Sequence, residues 1–205
     1  MHHPFYAGSM TTQPDYWNRI YEEEGRPGWD MNGATPLVQE LLDLAQPLGL
    51  QAGCEVAVPG CGYGHDAAGL AELGFRVTGL DFAPLAIQGA LAKHGDRVAW
   101  AQADWFTTTL GPWDAIFDHT CFVAMDPPRR PAYVEACAAH LRLQGLWLAA
   151  FFHDVKGQAG PPHAIAMEDL RTLVTPRFEV LHLAAATQSH PRRAGREFLL
   201  VARKR

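Results

Sequence analysis

Three glycines and an aspartate carry the clearest chemistry in this chain. Gly60, Gly62 and Gly64 fall within the run Glu55-Val-Ala-Val-Pro-Gly-Cys-Gly-Tyr-Gly-His-Asp66, and Asp81 follows twenty-one positions after the first of them. An apolar strand, a glycine turn and a helix make a corner where the backbone comes close to a ligand with no Cβ in the way. A carboxylate at the end of the next strand is placed to accept hydrogen bonds from ribose hydroxyls. The spacing implies a nucleoside site.

The rest of the corner narrows the ligand. A dinucleotide fingerprint needs its last small residue at position 65, so that the helix packs closely and turns its N-terminus to a pyrophosphate. His65 stands there, with Gly64 one place early and Asp66 next. Asp66 would repel a pyrophosphate but can pair with the ammonium of an amino-acid cofactor. That favours S-adenosylmethionine over NAD or FAD. A NAD-type oxidoreductase and a ligand-free tight turn are the competing readings of the glycines alone.

Composition sets the frame. The chain has 205 residues, 48% apolar and 19% charged, which suits one α/β domain with a decorated edge. A net charge of −5 without a long basic run argues against nucleic acid or an anionic membrane as partner. Cys54, Cys61, Cys121 and Cys137 form no C-x-x-C and read as reduced thiols of a cytoplasmic protein. Met1–Met10 shows no signal-peptide pattern, and no apolar stretch approaches the roughly 20 residues that span a bilayer. The ten histidines lack H-x-x-x-H or H-E-x-x-H spacing, so no metal site is expected.

These residues need a scaffold, and the pattern supplies one. Strands are predicted at Glu55–Val58, Phe75–Leu80, Arg97–Ala101, Ala115–Phe117, Leu146–Phe152, Phe178–Ala184 and Glu197–Ala202. Helices are predicted at Leu37–Ala45, His65–Leu73, from Pro84 past Leu91, at Arg130–Leu141 and at Met167–Val174. Alternation of this kind makes a doubly wound, mostly parallel seven-stranded sheet, with an antiparallel edge where only a loop joins the last two strands. Residues 1–34 read as an aromatic lead-in and lid, and 35–205 as one domain. The loops over 156–163 and 187–195 are expected to be flexible.

The ordered strand-end acids Asp81, Asp104 and Asp118, with the glycine corner, resemble the class I S-adenosylmethionine-dependent methyltransferases. Four segments resemble the thiopurine methyltransferase group more narrowly, and within it the halide and thiol methyltransferases. These are Tyr16-Trp17…Gly28-Trp29…Thr35-Pro36, Val58-Pro-Gly-Cys-Gly-Tyr-Gly-His-Asp66, Ala103-Asp-Trp-Phe106 and Phe117-Asp-His-Thr-Cys-Phe-Val-Ala124. Gly160-Pro-Pro162 belongs to the same pattern. The resemblance implies that Gly60, Gly62 and Gly64 approach the methionine part of the cofactor. It implies that Asp81 holds the ribose, with Phe82 beside the adenine, and that Asp104, Trp105 and Phe106 meet that base. Asp66 and Asp118 complete the cofactor set, and Trp17, Tyr21 and Trp29 cover it. A sulfonium over aromatic faces gains roughly 0.5–2 kcal/mol.

The implied reaction is in-line methyl transfer to a small thiol, hydrogen sulfide or a halide, with S-adenosylhomocysteine as product. A thiopurine, a phenol, a tellurium or selenium oxyanion, or catalytic silence remain open. His119, Phe122 and Pro162 are expected at the substrate, with His119 either deprotonating a thiol or simply hydrogen-bonded at a strand end. Arg129 and Arg130 read as a solvated helix start, with attraction of an anionic substrate as the alternative. The acceptor is expected to be a small molecule and the protein a monomer.

Overall fold

The computed structural model describes residues 10–157 and 160–205; the readings for positions 1–9, and for 158 and 159 within the 156–163 loop, lie outside the described residues. Seven strands form one sheet: β1 Glu55–Pro59, β2 Arg76–Asp81, β3 Ala99–Gln102, β4 Trp113–His119, β5 Leu141–Phe152, β6 Phe178–Ala185 and β7 Glu197–Lys204. Their order is β3-β2-β1-β4-β5-β7-β6. β1 to β5 run parallel. β7 runs against both β5 and β6, which gives the expected antiparallel C-terminal edge with β6 outermost. The chain winds outward from β1 to β3 and then returns to add β4 on the other side. The switch point between β1 and β4 opens a crevice beyond the strands' carboxyl ends, where sheets of this kind bind ligands.

Helices cover both faces: α1 Pro14–Glu24, α2 Leu37–Ala45, α3 His65–Glu72, α4 Pro84–His94, α5 Cys121–Ala124, α6 Arg130–His140 and α7 Met167–Val174. Period-two alternation sorts the strand residues between them. Ile116, Trp147, Phe151 and Phe198 pack on one face with Tyr133 and Val134 of α6 and Leu170 of α7. Phe117, Leu148 and Leu199 face the other way, against Leu37, Leu41 and Leu42 of α2 and Leu70 of α3. Near-continuous burial along β4, β5 and β7 follows from coverage on both sides.

The differences from the sequence expectation are local. β5 begins at Leu141, directly after α6, rather than at Leu146. Gln144 and Gly145 form an irregularity inside the strand, where Gln144 has φ +64 and the register with β4 shifts. β3 is displaced to 99–102, and β4 extends to His119. The lead-in contains a true helix, α1, with one buried residue, Tyr21. Pro14 starts it and Gly25, at φ +60, ends it with its N–H on the Tyr21 carbonyl. It lies on α4, where Asn18 Oδ1 accepts the Leu85 N–H at 3.2 Å.

Neither loop expected to be flexible runs free through its described residues. The His163 N–H bonds to the Val123 carbonyl at 2.7 Å, and Arg130 donates to the His163 and Ala164 carbonyls at 2.8 and 3.2 Å. Arg130 is therefore buried, against the reading of a solvated helix start. In the 187–195 connection, Thr187 and Gln188 bond to the Glu40 carboxylate, and Arg193 is buried.

Trp147 is fully buried at the centre of the larger aromatic cluster. Trp147→Ala is expected to cost about 3–5 kcal/mol, read as a lowered midpoint in denaturant titration.

Candidate active site

The corner after β1 is built as the spacing implied, with one correction. Gly60 and Gly62 sit at φ +58 and +55 and line the crevice. A Cβ on Gly60 would lie 2.7 Å from Cys121 Sγ, and one on Gly62 would lie 3.1 Å from Tyr21 Oη. Gly64 does not line the crevice. A Cβ there would run into the Trp100 ring at φ +77, so this glycine serves packing of α3 on the sheet instead of ligand approach.

Asp81, at the end of β2, joins two turns. Its Oδ2 accepts the Gly62 N–H at 3.0 Å and its Oδ1 accepts the Ala83 N–H at 2.9 Å. Burial pushes its pKa from 3.8 up to about 6, while the Ala83, Gly62 and Phe82 backbone bonds pull the other way. Asp104 Oδ1 accepts the Phe106 N–H at 2.9 Å, and both residues line the crevice with Phe82.

The crevice is a cavity of about 650 Å³ running between these turns and the N-terminal segment. An aromatic wall closes one side. Trp29 meets Trp17 and Tyr21 edge-on, with centroids 5.5 and 5.7 Å apart, and Tyr21 lies 4.9 Å from Tyr63. Trp17 Nε1 donates to the Thr11 carbonyl at 2.9 Å. The lining also includes Met125, Arg129, Phe152, Pro161, Pro162 and the arginines 192, 193 and 196. Arg129 lies 4.0 Å over the Phe106 ring.

His119 ends β4 at the junction of the two halves. Its Nδ1 is 2.8 Å from Asp66 Oδ2, and its Nε2 is 2.7 Å from Arg193 Nη1 and 3.4 Å from Glu197 Oε1. Burial lowers the His119 pKa, but the Asp66 and Glu197 carboxylates outweigh it, and the net shift is upward from 6.5. A guanidinium only donates, so a bond between Arg193 and Nε2 requires the neutral tautomer with its proton on Nδ1. Asp66 is depressed below its ordinary value; burial would raise it, and His119 reverses this. Its other oxygen accepts the Thr35 N–H at 2.7 Å. Asp66 thus faces His119 and Thr35, where the sequence suggested a free partner for an ammonium.

Three further expectations meet different surroundings. Asp118 is fully buried and does not line the cavity; its Oδ1 accepts the Cys121 and Phe122 N–H groups and so starts α5. Phe122 is 1% exposed and packs among Tyr133, Trp147 and Phe151, away from the cavity. Alternation along a strand end and a one-turn helix turned both inward. Trp105 reaches the cavity, but most of its indole is core, stacked on Trp113 at 5.8 Å. Pro162 lines the cavity as expected, and all four cysteines are free. Among the described residues no group of three or more His, Cys, Asp or Glu could hold a metal ion. None of their helices is long and apolar enough to cross a membrane.

Arg193 and Glu197 are the residues that sequence reasoning missed. Both are buried and charged, and they lie 74 and 78 positions from His119. The one local sign was the charge-rich run Arg192-Arg-Ala-Gly-Arg-Glu197 just before an apolar strand.

A seven-stranded sheet of this order with a glycine corner, a strand-end acid and an aromatic lid is the fold of a class I S-adenosylmethionine-dependent methyltransferase. Solved structures share it, and two of them illustrate the likeness. They are 1,6-didemethyltoxoflavin-N1-methyltransferase of Burkholderia thailandensis with bound S-adenosylhomocysteine (TM-score 0.74, 20% identity, 100% of this chain and 93% of that one) and magnesium protoporphyrin IX methyltransferase of Synechocystis with bound SAM (TM-score 0.73, 18% identity, 98% and 99%). The sequence profile of thiopurine S-methyltransferase matches residues 12–200, and the chain belongs to that family. It is 30% identical over 199 residues to thiocyanate methyltransferase 1 of Arabidopsis thaliana, covering 92% of this chain and 84% of the relative. It is 28% identical over 180 residues to a thiopurine S-methyltransferase of Xanthobacter autotrophicus, covering 78% and 83%. The protein is a methyltransferase.

The raised pKa of Asp81 bears on the ribose contact expected of it. Its carboxyl is protonated below about pH 6 in the ligand-free protein, and a protonated acid is a poorer acceptor for ribose hydroxyls. The affinity for S-adenosylhomocysteine is expected to fall as pH drops through 6, and Asp81→Asn to bind weakly with that fall removed, by calorimetry. Stability moves the other way: because the folded pKa lies above 3.8, this group's contribution declines as pH rises from about 4 through 6.

Proposed function

We propose that this enzyme methylates a small soft nucleophile: a thiol, hydrogen sulfide, or a halide or similar anion such as thiocyanate. The observation that carries the reading is the engagement of His119. Both ring nitrogens are taken, Nδ1 by Asp66 and Nε2 by Arg193, so the predicted base has no lone pair to offer an acceptor. An acceptor that arrives ionised needs none. A thiol of pKa about 8.5 is a few per cent ionised at pH 7, and a halide has no proton to lose. The name of the Arabidopsis relative, thiocyanate methyltransferase, points the same way.

The donor half of the cavity fits S-adenosylmethionine. The Gly60 and Gly62 backbone would meet the methionine part, where a Cβ has no room. Asp81 would hold the ribose, and Phe82, Asp104, Phe106 and the edge of Trp105 the adenine. Trp17, Tyr21 and Trp29 would cover the sulfonium side and exclude water. When bound, the cofactor supplies a methyl on a sulfonium; the acceptor's lone pair forms the new bond to carbon as the old carbon–sulfur bond breaks, leaving a neutral thioether.

The protein's contribution to that step is alignment, which reaches about 7–11 kcal/mol in well-oriented model reactions. Arg129 and Arg196 add positive charge to the cavity lining, which draws an anion. His119 then acts by position and not by proton transfer. The same reading takes residues 1–34 as the lid and 35–205 as the methyltransferase domain of a cytoplasmic monomer. Its partner is a small-molecule acceptor, with neither nucleic acid nor membrane involved, a view supported by the net charge of −5 and the enclosed cavity.

Turnover tests this directly. Purified protein with methyl-labelled S-adenosylmethionine is offered sulfide, thiophenol, iodide, thiocyanate, a thiopurine and a phenol, and S-adenosylhomocysteine is measured. Sulfide, thiophenol, iodide or thiocyanate is expected to lead. A lead by the phenol or thiopurine would contradict the acceptor class, and no turnover with any acceptor despite tight cofactor binding would point to a silent binding protein.

A further inference from the structure

Arg193 is a buried cation on a connection between strands, an expensive place for a charge unless every bond it makes is used. Its side chain is 7% exposed. Nη1 donates to His119 Nε2 at 2.7 Å and lies 3.5 Å from Glu197 Oε1, while Nη2 donates to the Trp29 carbonyl at 3.0 Å. The receiving segment, residues 25–36, has no helix or strand of its own, yet it carries Trp29 over the cavity. Its far end is tied as well, through the Thr35 N–H to Asp66 Oδ1, and Asp66 Oδ2 is the partner of His119 Nδ1. One chain of contacts therefore runs from the Trp29 carbonyl through Arg193, His119 and Asp66 to the Thr35 amide.

The geometry points to Arg193 as a positioning residue that fastens the Trp29 strap over the donor half of the cavity, with His119 as the pivot joining both ends of the strap. The inference rests on the cofactor reading above. Neighbouring Arg192 adds weaker links, to the Gly28 carbonyl at 3.4 Å and Met31 Sδ at 3.7 Å.

The pivot responds to protons. With Nε2 unprotonated, His119 accepts from Arg193 and donates through Nδ1 to Asp66. A second proton on Nε2 would set two N–H groups against each other at 2.7 Å. The acceptor then available is Glu197 Oε1, 3.4 Å away. The groups facing His119 are Asp66 from α3, Glu197 from β7, Arg193 from the connection before β7, and its neighbour Asp118 on β4. Protonation exchanges Arg193 for Glu197 at the ring and withdraws the guanidinium from Trp29. The strap is fastened at higher pH and loosened as pH falls, in addition to the effect of Asp81.

The test uses the full chain and its variants Arg193→Met, Arg193→Lys and His119→Gln, each checked for a wild-type melting profile. Hydrogen exchange of residues 25–36 is measured without ligand, S-adenosylhomocysteine binding by calorimetry from pH 6 to 8, and KM and kcat for the donor at pH 8. Arg193→Met is expected to speed strap exchange and weaken binding about tenfold, with KM rising more than kcat falls. Should it not fold, Arg193→Lys carries the comparison, because an ammonium keeps the charge but lacks the fork that spans His119 and Trp29. His119→Gln offers Arg193 an amide oxygen that does not titrate, so its binding should weaken less than wild type between pH 8 and 6. Unchanged strap exchange and affinity in folded Arg193 variants, or parallel pH curves for wild type and His119→Gln, would overturn this inference alone. Wild-type protein that fails to bind S-adenosylhomocysteine would overturn the cofactor reading and this inference with it.

Discussion

His119 holds a carboxylate on one ring nitrogen and a guanidinium on the other, and the elements around it must lie where they do for both bonds to form. Asp66 comes from the first turn of α3, His119 from the end of β4, and Glu197 from the start of β7. Arg193 arrives on the connection between β6 and β7, which is why the reversed strand matters to the site. β7 pairs Glu197 with Phe152 at the end of β5, bringing its N-terminal end to the carboxyl edge of the parallel strands. The cluster costs desolvation, and removing one member would leave uncompensated charge behind. A histidine bonded on both sides positions its neighbours, and the proposed reaction asks no proton transfer of it.

That arrangement fits a reaction whose leaving group is already activated. Methyl transfer from a sulfonium to a soft anion asks the protein for alignment, a dry cavity and a cation-tolerant wall. In the proposed reading those properties come from Gly60 and Gly62, the Trp17–Tyr21–Trp29 wall and the crevice between them. The cavity lining carries both signs, with Asp81 and Asp104 among its acids and Arg129, Arg192, Arg193 and Arg196 among its bases.

Much of this was legible in the chain because it is local. Strand alternation, the glycine corner and the Asp81 spacing are short-range patterns, and they located the sheet, the switch point and the donor turns. What failed was side-chain direction. Asp118 and Phe122 sit within four residues of His119, yet one caps α5 and the other enters the core, since helix and strand geometry point neighbours to different sides. Gly64 belonged to the motif by type but serves the Trp100 contact. Arg193 and Glu197 were illegible for the opposite reason: their partner is 74 and 78 residues away, and only the β5–β7 pairing brings them to it.

The most direct measurement is the pH dependence of kcat/KM for a series of thiols with graded pKa values, at saturating S-adenosylmethionine and above pH 6.5. With no protein base, the rising limb for each thiol should follow that thiol's own ionisation and move with it along the series. A limb that stays at one pH for every thiol would reveal a titrating base in the protein and contradict the account of His119.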